Sequence, residues 1–353
     1  MSEFSLGLIE GFYGRQWRWD QRNVLPAQLA RWGYKSYIYA PKGDASLRSR
    51  WRDDFTEAHF SRLRQLSDTA SQAGIAWGLG LSPAGLQAKF GPDDRRDLSR
   101  KIAQIAALQP ASLWILFDDL PAGVPQLAAR QLEVIDAVRQ QLPDLPVAMC
   151  PSYYSEDPIL EELFGACPAE YFSTLNAGLA SDVDLLWTGP KVISSSYSAA
   201  DMRRAAAILG RKPLLWDNYP VNDGRKSSRF LNVLPFSGRP AGLAQWCRGH
   251  FVNPMNQFHL SLLPLMGLAK VYTESSLSRD VLFAQALATL PRELAELLKE
   301  HAQIFQCDGL DGMAEADKQR LAREAANIDH PAAAELAAWL REEYRFDPDC
   351  LTE

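Results

Sequence analysis

The stretch FSLGLIEGFYGRQW, residues 4–17, decides between two folds. Its first half is a short, β-rich apolar run. Continuous apolarity is the mark of a parallel strand buried on both faces. Its second half leads the chain out of that strand. A doubly wound open sheet would normally place a glycine-rich phosphate loop there, on the pattern GxGxxG. EGFYGRQW lacks that pattern and puts bulky aromatics where a phosphate loop needs small residues. The reading therefore favours a closed (β/α)8 barrel over an open sheet.

Seven further runs share this texture: KSYIYAPK (35–42), IAWGLGLSP (75–83), SLWILFDD (112–119), PVAMCPSYY (146–154), VDLLWTG (183–189), KPLLWDNYP (212–220) and AGLAQWCRG (241–249). Helical patterns lie between most of them, such as FTEAHFSRLRQLSDTASQAG, DLSRKIAQIAALQ, VPQLAARQLEVIDAVRQQL and ADMRRAAAILG. Gly33, Gly74 and Gly210 each stand where a left-handed helix cap would precede a strand. A strand every ~30–40 residues matches the repeat of a TIM barrel of ~250 residues. After residue 252 only helical patterns follow, from NPMNQFHLSLLPLMGLAKVY to PAAAELAAWLREEY. The expected organisation is an α/β chain: a TIM (β/α)8 barrel over 1–252, then a C-terminal α-helical region over 253–353.

Composition narrows the function classes. The chain has 353 residues, 47% hydrophobic, with a formal net charge of −6. No long basic run suits nucleic acid or an anionic membrane. No apolar stretch approaches the ~18 residues of a membrane span, and the N-terminus lacks the basic and apolar regions of a secretory leader. Cys150, Cys167, Cys247, Cys307 and Cys350 are odd in number, widely spaced and without a CxxC pair. They fit a reducing, cytoplasmic setting better than a disulfide framework. The five histidines show neither HxH nor HExxH spacing, so no metal site is expected.

A TIM barrel carries its active site at the C-terminal ends of its strands. Those ends read Glu10–Tyr13, Pro41 to Asp44, Ser82–Pro83, Asp118–Asp119, Ser152–Tyr154, Trp187–Thr188, Trp216–Tyr219 with Asp223 beyond, and Gln245–Trp246. Carboxylates, amides, a lysine and indoles gathered on one face suit a sugar. Hydroxyls need hydrogen-bonding partners, and the C–H face of the ring stacks on an aromatic. Taken singly, each residue has a structural reading. Asp119 could cap the helix after Pro121, and Lys42 could be a solvated loop lysine. Trp187 and Trp216 could be core, Asn218 and Asp223 turn residues, and Cys150 a small buried hydrophobe. The adjacent pair Asp118–Asp119 resists such a reading. Successive strand side chains point to opposite faces, so both serve one site only if the strand ends or kinks between them.

These motifs resemble glycoside hydrolase family 84, the O-GlcNAcase-like β-N-acetylglucosaminidases. The resemblance runs from about residue 5 to residue 270 and rests on GLIEGFYGRQW, YIYAPKGD, RWRDDF, LFDDL, MCPSYY, LLWTGPKVISS, LLWDNYPVND and FVNPM. It implies retaining hydrolysis of terminal β-linked GlcNAc by substrate-assisted catalysis through an oxazoline. Asp118 would receive the acetamido N–H, and Asp119 would be the general acid/base. Gly11, Lys42, Asn218, Asp223 and Asn253 would bind the sugar hydroxyls. Tyr154 would bond the acetamido oxygen. Trp216 would wall the pocket of the acetamido methyl, with Thr188 and Val192 near it. The partner implied is a GlcNAc-containing glycoside or glycoconjugate, with no cofactor, nucleic acid or membrane. The natural aglycone and the oligomeric state stay open.

The sequence departs from the family pattern at four places. Gly43 stands where a second Asp is common, Leu47 where a histidine is common, and Tyr153 where an acidic group is expected. HFVNPM is one residue shorter than usual. Strand 1 begins so near Met1 that the N-terminal domain of many members is not expected. Two other classes compete: a catalytically silent GlcNAc-binding barrel, which would tend to lose Asp119, and a metal-dependent barrel hydrolase with Asp118 and Asp119 as ligands.

Overall fold

The computed structural model describes residues 4–351. Eight parallel strands pair in sequence order and close into a barrel. They are β1 (Ser5–Glu10), β2 (Ser36–Tyr39), β3 (Ala76–Leu81), β4 (Ser112–Leu116), β5 (Val147–Cys150), β6 (Asp184–Trp187), β7 (Leu214–Asp217) and β8 (Gly249–Val252). β8 returns to β1 with Leu8 opposite Val252. The expected (β/α)8 barrel is therefore the observed fold. The strands are short and buried, because helices cover the outside while side chains fill the inside. Large and small residues alternate within that filling. Phe251 and Trp114 stack edge to face at 4.7 Å. A Cβ on Gly7 would stand 2.2 Å from the Phe251 ring, so only glycine fits there.

Helices return the chain between strands, as in Glu57–Gln72, Pro92–Ala107, Leu127–Gln141 and Ala199–Leu209. Gly33, Gly74 and Gly210 have φ of 91°, 71° and 65°, the left-handed conformation expected of helix-ending glycines.

One strand lies elsewhere than the sequence pattern indicated. AGLAQWCRG does not form the eighth strand. Leu243–Trp246 is a helical turn, with the Cys247 N–H donating to the Leu243 carbonyl at 2.9 Å. Its apolar side chains, Leu243 and Cys247, pack on Tyr197, Met202 and Leu215 outside the barrel. The true strand is GHFV, disguised by a histidine. His250 is fully buried because its ring nitrogens meet Asp217 at 2.9 Å and the Tyr272 hydroxyl at 2.6 Å. Gln245 and Trp246 are accordingly not at a strand end.

Beyond β8, helix Phe258–Thr273 contributes Phe258, Leu265 and Leu268 to the barrel core and Leu260 and Leu263 to a second apolar cluster. Helices Arg279–Leu287, Arg292–Cys307, Glu315–Ala326 and Pro331–Leu340 build that second cluster. We propose the division into a 1–252 barrel and a 253–353 helical region, with Phe258–Thr273 as the element joining their cores. No helix among the described residues is long and apolar enough to cross a membrane.

Candidate active site

Each side chain of the site follows from where its strand stops. β4 ends at Leu116, and the Phe117 N–H still reaches the Cys150 carbonyl of β5 at 3.0 Å. The chain then breaks from extended geometry, and Asp119 takes φ of 56°. Asp tolerates this left-handed conformation better than most residues. That turn is the kink the adjacent carboxylates require, and it lets Asp118 and Asp119 face one cavity. All the residues singled out in the sequence line this same cavity. Gly11 comes from β1, Lys42 from β2, and Tyr154 from β5. Thr188 and Val192 follow β6, Asn218 and Asp223 follow Trp216 of β7, and Asn253 follows β8.

Asp118 is buried and paired with the Lys42 ammonium through Oδ2. Its Oδ1 is buried as well and accepts no N–H or O–H hydrogen bond among the described residues. Lys42 is thus an inward, buried lysine and no solvated loop residue; its ammonium also lies 5.7 Å from the centre of the Trp216 ring. Asp119 has a different environment. The Tyr154 hydroxyl donates to Oδ1 at 2.8 Å, and the Tyr13 hydroxyl donates to Oδ2 at 3.0 Å. Arg48 donates to the Asp119 carbonyl at 3.1 Å and lies over the Tyr13 ring. Burial, then the charge of Asp118, raise the Asp119 carboxyl above the usual aspartate range, against the pull of Lys42, Tyr154 and Arg48. Two close carboxylates in different surroundings separate in this way, one kept as an acid.

The opposite wall is one hydrogen-bonded circuit. The Gly11 N–H donates to Asn253 Oδ1 at 3.1 Å, and Asn253 Nδ2 donates to Asn218 Oδ1 at 3.1 Å. The same Asn218 oxygen accepts from Trp216 Nε1 at 2.9 Å, and Asn218 Nδ2 donates to the Val192 carbonyl at 2.9 Å. β1, β6, β7 and β8 are locked together at the height of the cavity. Gly11 has to be glycine, since a Cβ would stand 2.5 Å from the Trp216 ring. Asp223 accepts from the Tyr13 N–H at 2.7 Å. The Thr188 hydroxyl donates to the Lys191 carbonyl at 3.0 Å, which anchors the loop carrying Val192.

Other strand-end groups serve the frame. Glu10 meets Arg22 at 2.5 Å and the Tyr37 hydroxyl at 2.6 Å, all buried. Asp44 accepts from Tyr39 at 2.9 Å. Asp217 holds Arg239 and His250. Burial would raise the Asp217 carboxyl, but the Arg239 guanidinium and His250 overcome it and hold it well below the usual range. Arg239 in turn donates to the Ser194 and Ser195 carbonyls, fixing the loop behind Val192. Trp187 is core. Tyr153 donates to the Gly165 carbonyl at 2.7 Å and lies edge-on to Tyr171, away from the carboxylates.

Tyr13, Cys150 and Cys350 also line the cavity and were not singled out in the sequence as site residues. Tyr13 was legible as an aromatic two residues past Gly11. Nothing in the sequence brings Cys350 there.

A family model described as β-N-acetylglucosaminidase matches residues 6–303. The rat and mouse proteins called protein O-GlcNAcase are each 29% identical over 279 residues, 76% of this chain and 30% of their own length. The chain thus spans about a third of those relatives. A solved mutant of the O-GlcNAc hydrolase of Thermobaculum terrenum superposes with a TM-score of 0.78 at 26% identity, over 97% of this chain and 81% of that one.

Proposed function

The chain belongs to the β-N-acetylglucosaminidase family of glycoside hydrolases, and from that premise we propose that it is a retaining, O-GlcNAcase-like enzyme. It removes terminal β-linked GlcNAc by substrate-assisted catalysis. The observation that carries this reading is the buried Oδ1 of Asp118, a cavity-lining residue, which finds no hydrogen-bonding N–H or O–H among the described residues. An orphaned carboxylate oxygen is costly unless a ligand donor completes it. The N–H of a 2-acetamido group is such a donor.

In this mechanism Asp118 accepts the acetamido N–H, while Lys42 fixes its other oxygen. The acetamido oxygen attacks the anomeric carbon, and the bond to the leaving oxygen breaks. Asp119, kept protonated by burial and by Asp118, gives its proton to that oxygen. An oxazoline is left, still protonated on nitrogen and held there by the Asp118 carboxylate. The Asp119 carboxylate then takes a proton from water, which adds to the anomeric carbon and reopens the ring with net retention. Ordinary retaining glycosidases use a carboxylate nucleophile, and substrate-assisted families are the exception. Trp216 walls the acetamido methyl beside Thr188 and Val192. Gly11, Lys42, Asn218, Asp223 and Asn253 border the sugar hydroxyls, and Tyr154 steadies both Asp119 and the acetamido oxygen. A cytoplasmic setting and GlcNAc-bearing glycoconjugates as substrates belong to the same proposal.

The test is hydrolysis of an aryl β-N-acetylglucosaminide with and without a GlcNAc-thiazoline. Turnover blocked by the thiazoline, and lost in Asp118→Asn, is expected. A chain that binds the thiazoline without turnover would be the silent sugar-binding barrel. Turnover that a chelator abolishes would favour the metal-dependent reading.

A further inference from the structure

The cavity has a volume of about 40 Å³. That holds about three water molecules. Pockets for small ligands usually measure ~300–1,000 Å³. The enclosed space of the site as it stands falls well short of that. The polar rear wall cannot yield easily, since the circuit through Gly11, Asn253, Asn218 and Val192 ties four strands together. The front is different. Cys350, close to the C-terminal end of the chain, lines the cavity and is buried.

The segment that brings it there lies outside the stretch matched by the family model. Helix Pro331–Leu340 ends, and Glu342 turns the chain with φ of 60°. Tyr344 then lies under the Arg15 guanidinium at 5.0 Å. Phe346 lies under the Arg225 guanidinium at 5.6 Å. Arg15 follows β1 and Arg225 follows β7, so the segment crosses the mouth of the barrel between those loops. A turn closed by the Cys350 N–H on the Asp347 carbonyl at 3.0 Å then sets Cys350 into the cavity wall with Tyr13 and Asp119. Arg345, Pro348 and Asp349 are exposed, and beyond Tyr344, which also packs on the second apolar cluster, the crossing carries the Phe346–Arg225 contact and a turn in which the Asp349 N–H donates to Asp347 Oδ1 at 3.0 Å. Exposed cation–π contacts are worth about 0.5–1 kcal/mol each.

We propose that residues 343–351 are an autoinhibitory strap: this chain's own C-terminal segment occupies the sugar side of its active site and must swing out before GlcNAc binds. The identity of the displacing ligand rests on the hydrolase reading above. The placement of Cys350 in the cavity wall does not. A strap and a fixed wall have opposite consequences. A fixed wall becomes more protected when ligand fills the cavity. A strap becomes less protected, because ligand and strap compete for one space.

The test uses the whole chain and iodoacetamide, with the labelled peptides quantified by mass spectrometry. Cys307 is exposed and serves as the internal reference. In the free protein Cys350 is expected to react at least fivefold more slowly than Cys307. Equal rates would overturn the strap without any reference to sugar. Saturation with a GlcNAc-thiazoline is expected to raise the Cys350 rate at least threefold and leave Cys307 unchanged. A lowered or constant Cys350 rate would overturn the strap in favour of a fixed wall. A chain ended after Arg345 should hydrolyse the aryl glycoside with kcat/KM raised several-fold, mainly through KM, and Phe346→Ala should move the same way by less. Unchanged or reduced kcat/KM in both would overturn the proposal. Should no form bind thiazoline or turn over substrate, the hydrolase reading fails, and the strap is judged by Cys350 against Cys307 alone.

Discussion

Tyr13→Phe probes the acid directly. The Tyr13 hydroxyl donates to Asp119 Oδ2 at 3.0 Å, and Tyr154 supplies the only other side-chain bond, at 2.8 Å, among the described residues. A hydrogen bond to an ionised group is worth about 1.5–3 kcal/mol, and a tenfold change in a protonation equilibrium is worth about 1.4 kcal/mol. Both donors favour the carboxylate form. Losing one therefore raises the Asp119 carboxyl further above the usual range. Asp119 has to be protonated to assist the leaving oxygen. The high-pH limb of kcat/KM should then move upward. The assay is kcat/KM from about pH 5 to about pH 10 with an alkyl β-N-acetylglucosaminide, whose poor leaving group makes the acid matter. Phenylalanine keeps the ring, which is buried beneath Arg48, so the fold should be unaffected. A limb that stays in place, or moves down, would show that Asp119 is not the proton donor tuned by Tyr13.

Three other outcomes are expected. Asp119→Asn should slow alkyl glycosides far more than activated aryl ones, because only the former need protonation; equal losses on both would contradict the role. Gly11→Ala forces a Cβ to 2.5 Å from the Trp216 ring, and overpacking of this kind costs about 1–3 kcal/mol. Thiazoline affinity measured by calorimetry should fall about tenfold or more, and an unchanged affinity would remove the indole from the pocket wall. Glu335, which accepts from the Leu260 N–H at 3.0 Å, is pushed up by burial to about 7. Folded chains then keep that proton to about pH 7, while unfolded ones release it near 4.5. Stability should decline across that window by up to about 3 kcal/mol, and Glu335→Gln should flatten the decline in melting curves taken from about pH 5 to about pH 8.

The barrel was legible because seven of its strands are apolar without interruption and end on polar groups. The eighth was misplaced for a physical reason. Sequence pattern treats histidine as a strand breaker inside a core, but His250 is neutralised as an obstacle by Asp217 and Tyr272, which come from β7 and a helix beyond the barrel. Only the closed fold supplies those partners. AGLAQW imitated a strand because a short helical turn facing outward can be as apolar as one facing inward. The cavity lining was legible where placement follows from strand ends, as for Asp118, Lys42 and Asn253. It was less so where one polar group cancels another. Glu10 and Asp217 resemble site carboxylates in sequence, yet Arg22 and Arg239 absorb them. Cys350 lay beyond reach, since about a hundred residues, mostly helical, separate it from β8.

The adjacent carboxylates gain their meaning from unequal company. Among the described residues, Asp118 meets a cation on one oxygen and no N–H or O–H on the other, while Asp119 meets two phenols and no cation at hydrogen-bonding distance from its side chain. A regular strand would have sent them to opposite sides of the sheet, one into the barrel and one outward. The left-handed turn at Asp119 brings both to one cavity while leaving each its own partners. Proximity then has a chemical consequence. Burial and the Asp118 charge raise the Asp119 carboxyl, while Lys42 pairs with one oxygen of Asp118 and leaves the other without it. Exchanging the two environments would undo the division, since a lysine on Asp119 would favour its carboxylate and leave no acid. The order Asp118–Asp119 is therefore a consequence of which residue precedes the turn: the first stays in line with β2 and Lys42, and the second swings toward Tyr13 and Tyr154.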